Sequence, residues 1–125
     1  MQWLFVAVGG ALGAVCRFAI IGYLYPVAGN RFPTGTLVVN VLGCLLVGAA
    51  YVLIVEKAML NPYWRHILMT GFLGALTTFS TFSLDALLLW QNGLHTTAVV
   101  YVLANVVLCL LAVTLAWYFL HAVVS

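Results

Sequence analysis

The segment Gly71-Phe72-Leu73-Gly74-Ala75-Leu76-Thr77-Thr78-Phe79-Ser80-Thr81-Phe82-Ser83 combines glycines, five hydroxyl side chains and two phenylalanines three residues apart. It lies inside an apolar run long enough to cross a bilayer. In hydrocarbon, polar groups must be satisfied within the protein or by a water-filled cavity, so this segment reads as a site rather than as a lipid anchor. Three further apolar runs carry special residues at i, i+4, i+8, which places each set on one helical face: Gly9, Gly13 and Arg17; Thr36, Asn40 and Cys44; Tyr101, Asn105 and Cys109. The groups on offer are hydroxyls, amides and one guanidinium, with Asp85 the single acid beside them. Such donors suit an anion better than a cation. Two phenyl rings add positive ring edges, which can replace water lost by a small anion. The chain has no paired carboxylates, no nucleophile–base set and no phosphate loop. Four narrow polar tracks therefore point to a permeation path and not to an enzyme's catalytic pocket.

Each track also has a plainer reading. Gly9-x-x-x-Gly13 permits close helix approach. Arg17 can snorkel, face an anion or pair structurally. Asn40 can join two helices or donate to an anion; Tyr101 and Asn105 can serve helix–helix hydrogen bonding. Phe79 and Phe82 would ordinarily be core aromatics, and the adjacent hydroxyls argue against that. Cys16, Cys44 and Cys109 are odd in number and lack metal or redox spacing, so they read as small packing residues. His66, His95 and His121 have no partner at ligand spacing. Trp3, Trp64, Trp90, Trp117 and Tyr118 fall near expected span ends, where interfacial anchoring accounts for them.

The elements that must position these residues follow from composition. The chain has 125 residues, 66% hydrophobic and only 5% charged, with mean hydropathy +1.22. A soluble domain of this size cannot hide that much apolar surface, so the expected class is an all-α integral membrane protein. A span needs about 20 apolar residues. Four fit, at roughly 3–25, 34–55, 63–91 and 97–122, making one transmembrane domain over 1–125. The first lacks a basic leader and is interrupted by glycines and Arg17, so it reads as a span and not a cleaved signal. Pro26, Asn30, Arg31 and Pro33 mark the turn into the second. The third is longer than a straight span requires. Gly71, Gly74 and the hydroxyl cluster fall near its middle, so it is expected to be two half-helices joined by a non-helical break there, with free carbonyls able to bind an ion. After the break, Phe79/Phe82 and Ser80/Ser83 run side by side, with Thr77/Thr81 one turn apart; Asp85 is expected to end the second half-helix.

Charge sets the orientation. Arg31 falls in the first loop, Lys57 and Arg65 flank the second, and Arg17 is within the first span. A difference of about one basic residue between the two faces is almost no positive-inside bias, so insertion in both orientations is expected.

With these residues in view, the chain resembles the Fluc (CrcB) family of fluoride channels. The resemblance rests on Gly9-Gly10-Ala11-Leu12-Gly13-Ala14-Val15-Cys16-Arg17, on Gly35-Thr36-Leu37-Val38-Val39-Asn40-Val41-Leu42-Gly43, and on Gly71 through Phe82 with Thr-Thr-Phe-Ser-Thr-Phe. It implies passive, selective fluoride export across a bacterial inner membrane by an antiparallel homodimer with two pores, and a structural sodium ion at the dimer interface. By that resemblance the carbonyls of Gly74 and Thr77 hold sodium. Phe79 and Phe82 are the fluoride-contacting rings, Asn40 the pore amide, Ser80, Thr81 and Ser83 the hydroxyl track, and Arg17 the vestibule arginine. Tyr101 and Asn105 join the pore as the fourth track. The implied partners are fluoride, the lipid bilayer and a second copy, with no nucleic acid. Ala75, Phe18 and Leu73 stand where the family often has glycine, tyrosine and cysteine; Ala75 bears on the break geometry. Two rivals differ in class. A small dual-topology drug exporter would carry an acid in the first span, which is absent. A non-conducting scaffold subunit would need no hydroxyl track.

Overall fold

The computed structural model describes residues 1–28 and 32–124. Among them the regular structure is entirely helical. Helix α1 covers Gln2–Ala28. Helix α2, Thr34–Ala50, continues into a π-helical turn, Tyr51–Glu56. The third span starts as a π-helix, Arg65–Leu73, and tightens into α3, Gly74–Leu76. After an interruption it resumes as α4, Phe79–Gln91; α5, His95–Val124, completes the bundle. Four stretches are long and apolar enough to cross a membrane: Gln2–Leu24, Thr34–Glu56, Arg65–Gln91 and His95–Val124. The chain is a multi-pass membrane protein.

Two expectations need correction. Helix α1 runs on through Pro26 to Ala28, so this proline does not end the helix. The turn residues Asn30 and Arg31 lie outside the described residues. The expected break is present, at the start of the hydroxyl cluster: helix persists through Leu76, and the extended residues are Thr77 (φ −85°, ψ 155°) and Thr78 (φ −151°, ψ 124°). Asp85 lies inside α4, which carries on for six further residues to Gln91.

Two seams organise the bundle. In the first, α1 lies directly on the first half of the third span. A Cβ added at Gly9 would strike the carbonyl of Ile67, and one at Gly13 the carbonyl of Phe72. One at Gly71 would sit 2.9 Å from the carbonyl oxygen of Val6. Only glycine permits this backbone-to-backbone approach, which in a membrane supplies the packing that a hydrophobic effect between helices cannot. The second seam joins α2 to α5 through positions four residues apart on each helix: 36, 40, 44 and 48 against 101, 105, 109 and 113. Helix α4 leans on α5 above it. Two clusters of buried apolar residues flank the site: Val39, Leu73 and Leu76 under the break, and Phe82, Leu89, Ala98 and Tyr101 between α4 and α5. Large apolar side chains such as Leu12, Phe18, Leu110, Leu115 and Phe119 point outward, as expected for surfaces that meet lipid or another chain.

Candidate functional site: the broken span and its polar seam

The break exists because side chains capture the bonds that would have closed the helix. In a continuous helix the amide of Thr78 would bond the carbonyl of Gly74. Here it donates instead to Oδ1 of Asn40 at 2.8 Å, while Nδ2 of Asn40 donates to the carbonyl of Thr78 at 3.1 Å. One primary amide thus reads both backbone groups of one residue, as a neighbouring strand would. The amide of Thr81, which would otherwise reach the carbonyl of Thr77, is taken by Thr78 Oγ1 at 3.1 Å, an N-cap for α4. Thr77 Oγ1 bonds back to the carbonyl of Leu73 at 2.9 Å. Arg17 reaches across from α1, and its Nε donates to the carbonyl of Ala75 at 2.9 Å. A cation on the last carbonyls of a half-helix complements the negative end of its dipole. These captures take the Thr78 and Thr81 amides away from the carbonyls of Gly74 and Thr77, their partners in a continuous helix.

The polar seam extends from the break. Asn40 Nδ2 also donates to Oδ1 of Asn105 at 3.2 Å, and Asn105 Nδ2 donates to the carbonyl of Tyr101 at 3.2 Å. The phenol of Tyr101, fully buried, donates to Asp85 Oδ2 at 3.0 Å, and Thr36 Oγ1 donates to the same oxygen at 2.9 Å. Asp85 therefore binds α4 to both α2 and α5. That pairing with two hydroxyls is what lets a carboxylate sit at this depth.

The rings stack along the same face. Phe79 and Phe82 have centroids 5.4 Å apart and tilted by 57°, and Phe82 packs on Tyr101 at 5.4 Å. Their environments differ. Phe82 is 7% exposed and Phe79 is 76% exposed, so only Phe82 is held by this chain's own core. A groove of about 440 Å³ opens here, lined by Asn40, Gly74, Thr77, Thr78, Phe79, Phe82 and Asn105, with Cys44, Cys109 and Met69 further along.

Not every expected residue converges on it. Ser83 Oγ donates to its own helix, at the carbonyl of Phe79, 2.9 Å away. Ser80 Oγ lies 3.3 Å from Thr78 Oγ1, at the exposed lip of the break. Thr81 is half-buried beside it. Arg17 works from the other side of the break and lines a separate hollow with Phe18 and Gly22. Two roles were missed: Asp85 as a half-buried hub, and Thr78 as the residue whose backbone defines the break. Thr78 carried a signal in its type, since threonine is a preferred N-cap. A third feature, Glu56 accepting from Trp117 Nε1 at 3.1 Å and paired with His121, ties the ends of the second and fourth spans. Its partners lie too far apart in sequence for spacing to reveal it.

A family model described as CrcB-like protein, Camphor Resistance (CrcB), matches residues 4–117. The chain belongs to the CrcB family. Its CrcB relatives include proteins named fluoride-specific ion channel FluC. The one from Saccharophagus degradans is 58% identical, covering 91% of this chain and 85% of its own length. The one from Hahella chejuensis is 52% identical over 89% and 87% of the two chains, and that from Acidobacterium capsulatum 45% identical over 92% of each. The CrcB match spans α1 through most of α5, so it includes every residue of the break and the seam.

Proposed function

We propose that the chain is a passive, fluoride-selective channel that exports fluoride across a bacterial inner membrane. The observation that carries this reading is the groove at the broken span, where amide donors, a helix N-terminus and two phenyl rings meet at membrane depth. It agrees with the names of relatives that match almost the whole chain.

Fluoride is small and strongly hydrated, so a path must replace its water. Asn40 holds its two amide hydrogens on neutral acceptors, Thr78 O and Asn105 Oδ1. A passing anion forms a stronger, charge-assisted bond than either, so the amide can exchange partners without being stranded. The first-turn N–H groups of α4 add the positive end of a helix dipole. Phe79 and Phe82 would present ring edges. The exposed face of Phe79 and the open groove call for a second copy to enclose the path, which favours an antiparallel homodimer with two pores.

The released carbonyls of Gly74 and Thr77 are hard oxygen donors at a half-helix end and fit sodium. Two copies meeting at their breaks would pool four such oxygens at the dimer interface. Sodium there would supply a fixed positive charge. Asn40 and Arg17 would hold the carbonyls in place from either side.

Fluoride efflux from liposomes reconstituted with the purified chain, followed with a fluoride electrode, tests the reading. Rapid fluoride release with chloride retained is expected. Release no faster than from protein-free liposomes would reject it.

A further inference from the structure

This chain has two acids against four lysines and arginines, and both acids are already engaged. Asp85 accepts from Thr36 and Tyr101. Glu56 closes the outer end of the α2–α5 seam, where Oε1 accepts from Trp117 Nε1 at 3.1 Å and Oε2 meets His121 Nε2. Trp117 and His121 stack with ring centroids 4.0 Å apart, so α5 holds that carboxylate with two neighbouring side chains. Lys57 and Arg65 bound the loop that follows. Lys57 adjoins Glu56 in sequence, but among the described residues the one ion pair is that of Glu56 with His121. Arg17 has the Ala75 carbonyl. Arg65 is exposed and has no side-chain acceptor among the described residues.

Between these two charges the loop presents exposed apolar and aromatic side chains, Met59, Leu60, Tyr63 and Trp64. Tyr63 packs edge-on against Phe5 with centroids 5.2 Å apart, which ties the loop to the start of α1, where Trp3 is also exposed. Tryptophan and tyrosine rings settle at the headgroup level of a bilayer. They therefore fix Lys57 and Arg65 at the depth of the lipid phosphates. We propose that this rim, bounded by Lys57 and Arg65, is a docking surface for anionic phospholipid headgroups. A net-negative headgroup supplies the counter-charge that Glu56 spends on α5. A zwitterionic headgroup brings its own ammonium, which cancels much of the attraction. The Arg65 guanidinium can take a phosphate through two parallel hydrogen bonds, and Lys57 adds a point charge. Attraction between exposed charges and an anionic surface fades within a Debye length, so salt weakens it. Nothing at this rim depends on what the groove conducts.

The test uses the full-length chain in detergent, titrated with phosphatidylglycerol or with phosphatidylcholine of the same acyl chains. Native mass spectrometry counts the lipids retained per chain. The parent should hold phosphatidylglycerol at least about threefold more tightly than phosphatidylcholine. Lys57→Gln with Arg65→Gln together should bring that ratio to about one. Neither side chain has an ion-pair partner to lose among the described residues, so the doubly substituted chain should stay folded and monodisperse. Arg31→Gln, which removes a charge from the first loop, should keep the parental ratio. A parental ratio of one, an unchanged ratio in the double variant, or an equal loss from Arg31→Gln would each overturn the surface. Added salt gives an answer independent of any variant's folding: the parental ratio should fall as ionic strength rises, and a ratio indifferent to salt would overturn the proposal.

Discussion

The two seams of this bundle solve the same problem in opposite ways. Where α1 meets the first half of the third span, side chains are removed and backbone lies on backbone through Gly9, Gly13 and Gly71. Where α2 meets α5, side chains are kept and made polar, and Thr36, Asn40, Tyr101 and Asn105 hydrogen-bond in rungs. Helices in lipid gain little from burying apolar surface against each other, so both devices are ways to hold them together. They differ in what else they permit. A glycine seam has nothing to offer a ligand. A polar seam has donors that can change partners. The difference teaches that polarity at membrane depth marks chemistry only where it meets an interruption in the backbone, as Asn40 meets Thr78.

The sharpest way to break this comparison is to fill the glycine seam. Gly13→Val drives a branched side chain into the carbonyl of Phe72, which is main chain and cannot rotate away. Folded protein should be lost altogether, measured as yield of a monodisperse species in detergent. Gly22→Ala has open space within 4 Å and should behave as the parent. Equal yields of the two variants would show that the close approach is not required.

In the polar seam the largest effect should come from Asn40→Asp. The carboxylate keeps the bond from the Thr78 amide but loses both donors and turns a negative charge toward Thr78 O and Asn105 Oδ1. Fluoride flux should fall at least tenfold, equivalent to about 1.4 kcal/mol in the barrier. Asn40→Ser, neutral and still a donor, should fall less. The reverse order in a liposome efflux assay would make Asn40 a helix linker only. The smallest effect should come from Ser80→Ala. Its hydroxyl contacts only Thr78 Oγ1 among the described residues and sits at the exposed lip. Flux should change by less than about tenfold, since a single neutral hydrogen bond contributes about 0.5–1.5 kcal/mol and neighbouring hydroxyls remain. A loss as large as that of Asn40→Asp would move the hydroxyl track to the centre of the path.

Much of this architecture was legible in the residues. Four apolar runs define the spans, and an over-long third run with glycines and hydroxyls signals an interruption. Four-residue spacing already placed Asn40 with Thr36, and Asn105 with Tyr101. What spacing could not show is which partner each side chain chooses. Glycines and hydroxyls together signalled a break between Gly71 and Phe79, without fixing which residues leave the helix. The chain breaks at Thr77 and Thr78 because Asn40, 38 residues earlier, takes the Thr78 amide. Arg17 reads as a snorkelling, anion-facing or structurally paired residue until its bond to Ala75, 58 residues away, shows which partner it has. Asp85 looked like the end of a helix, and its two hydroxyl donors come from other spans. Local sequence constrains faces, and long-range capture decides backbone.

The central claim is that the groove beside the break carries the ion, and Phe79 tests it most directly. Its side chain is 76% exposed in the single chain, so Phe79→Ile removes the ring edge with little demand on this chain's core. Volume-conserving apolar swaps typically cost under about 1.5 kcal/mol even in cores. Reconstituted at matched protein density, the variant should remain folded and monodisperse while fluoride efflux falls at least tenfold. Efflux at the parental rate from folded Phe79→Ile would contradict the account.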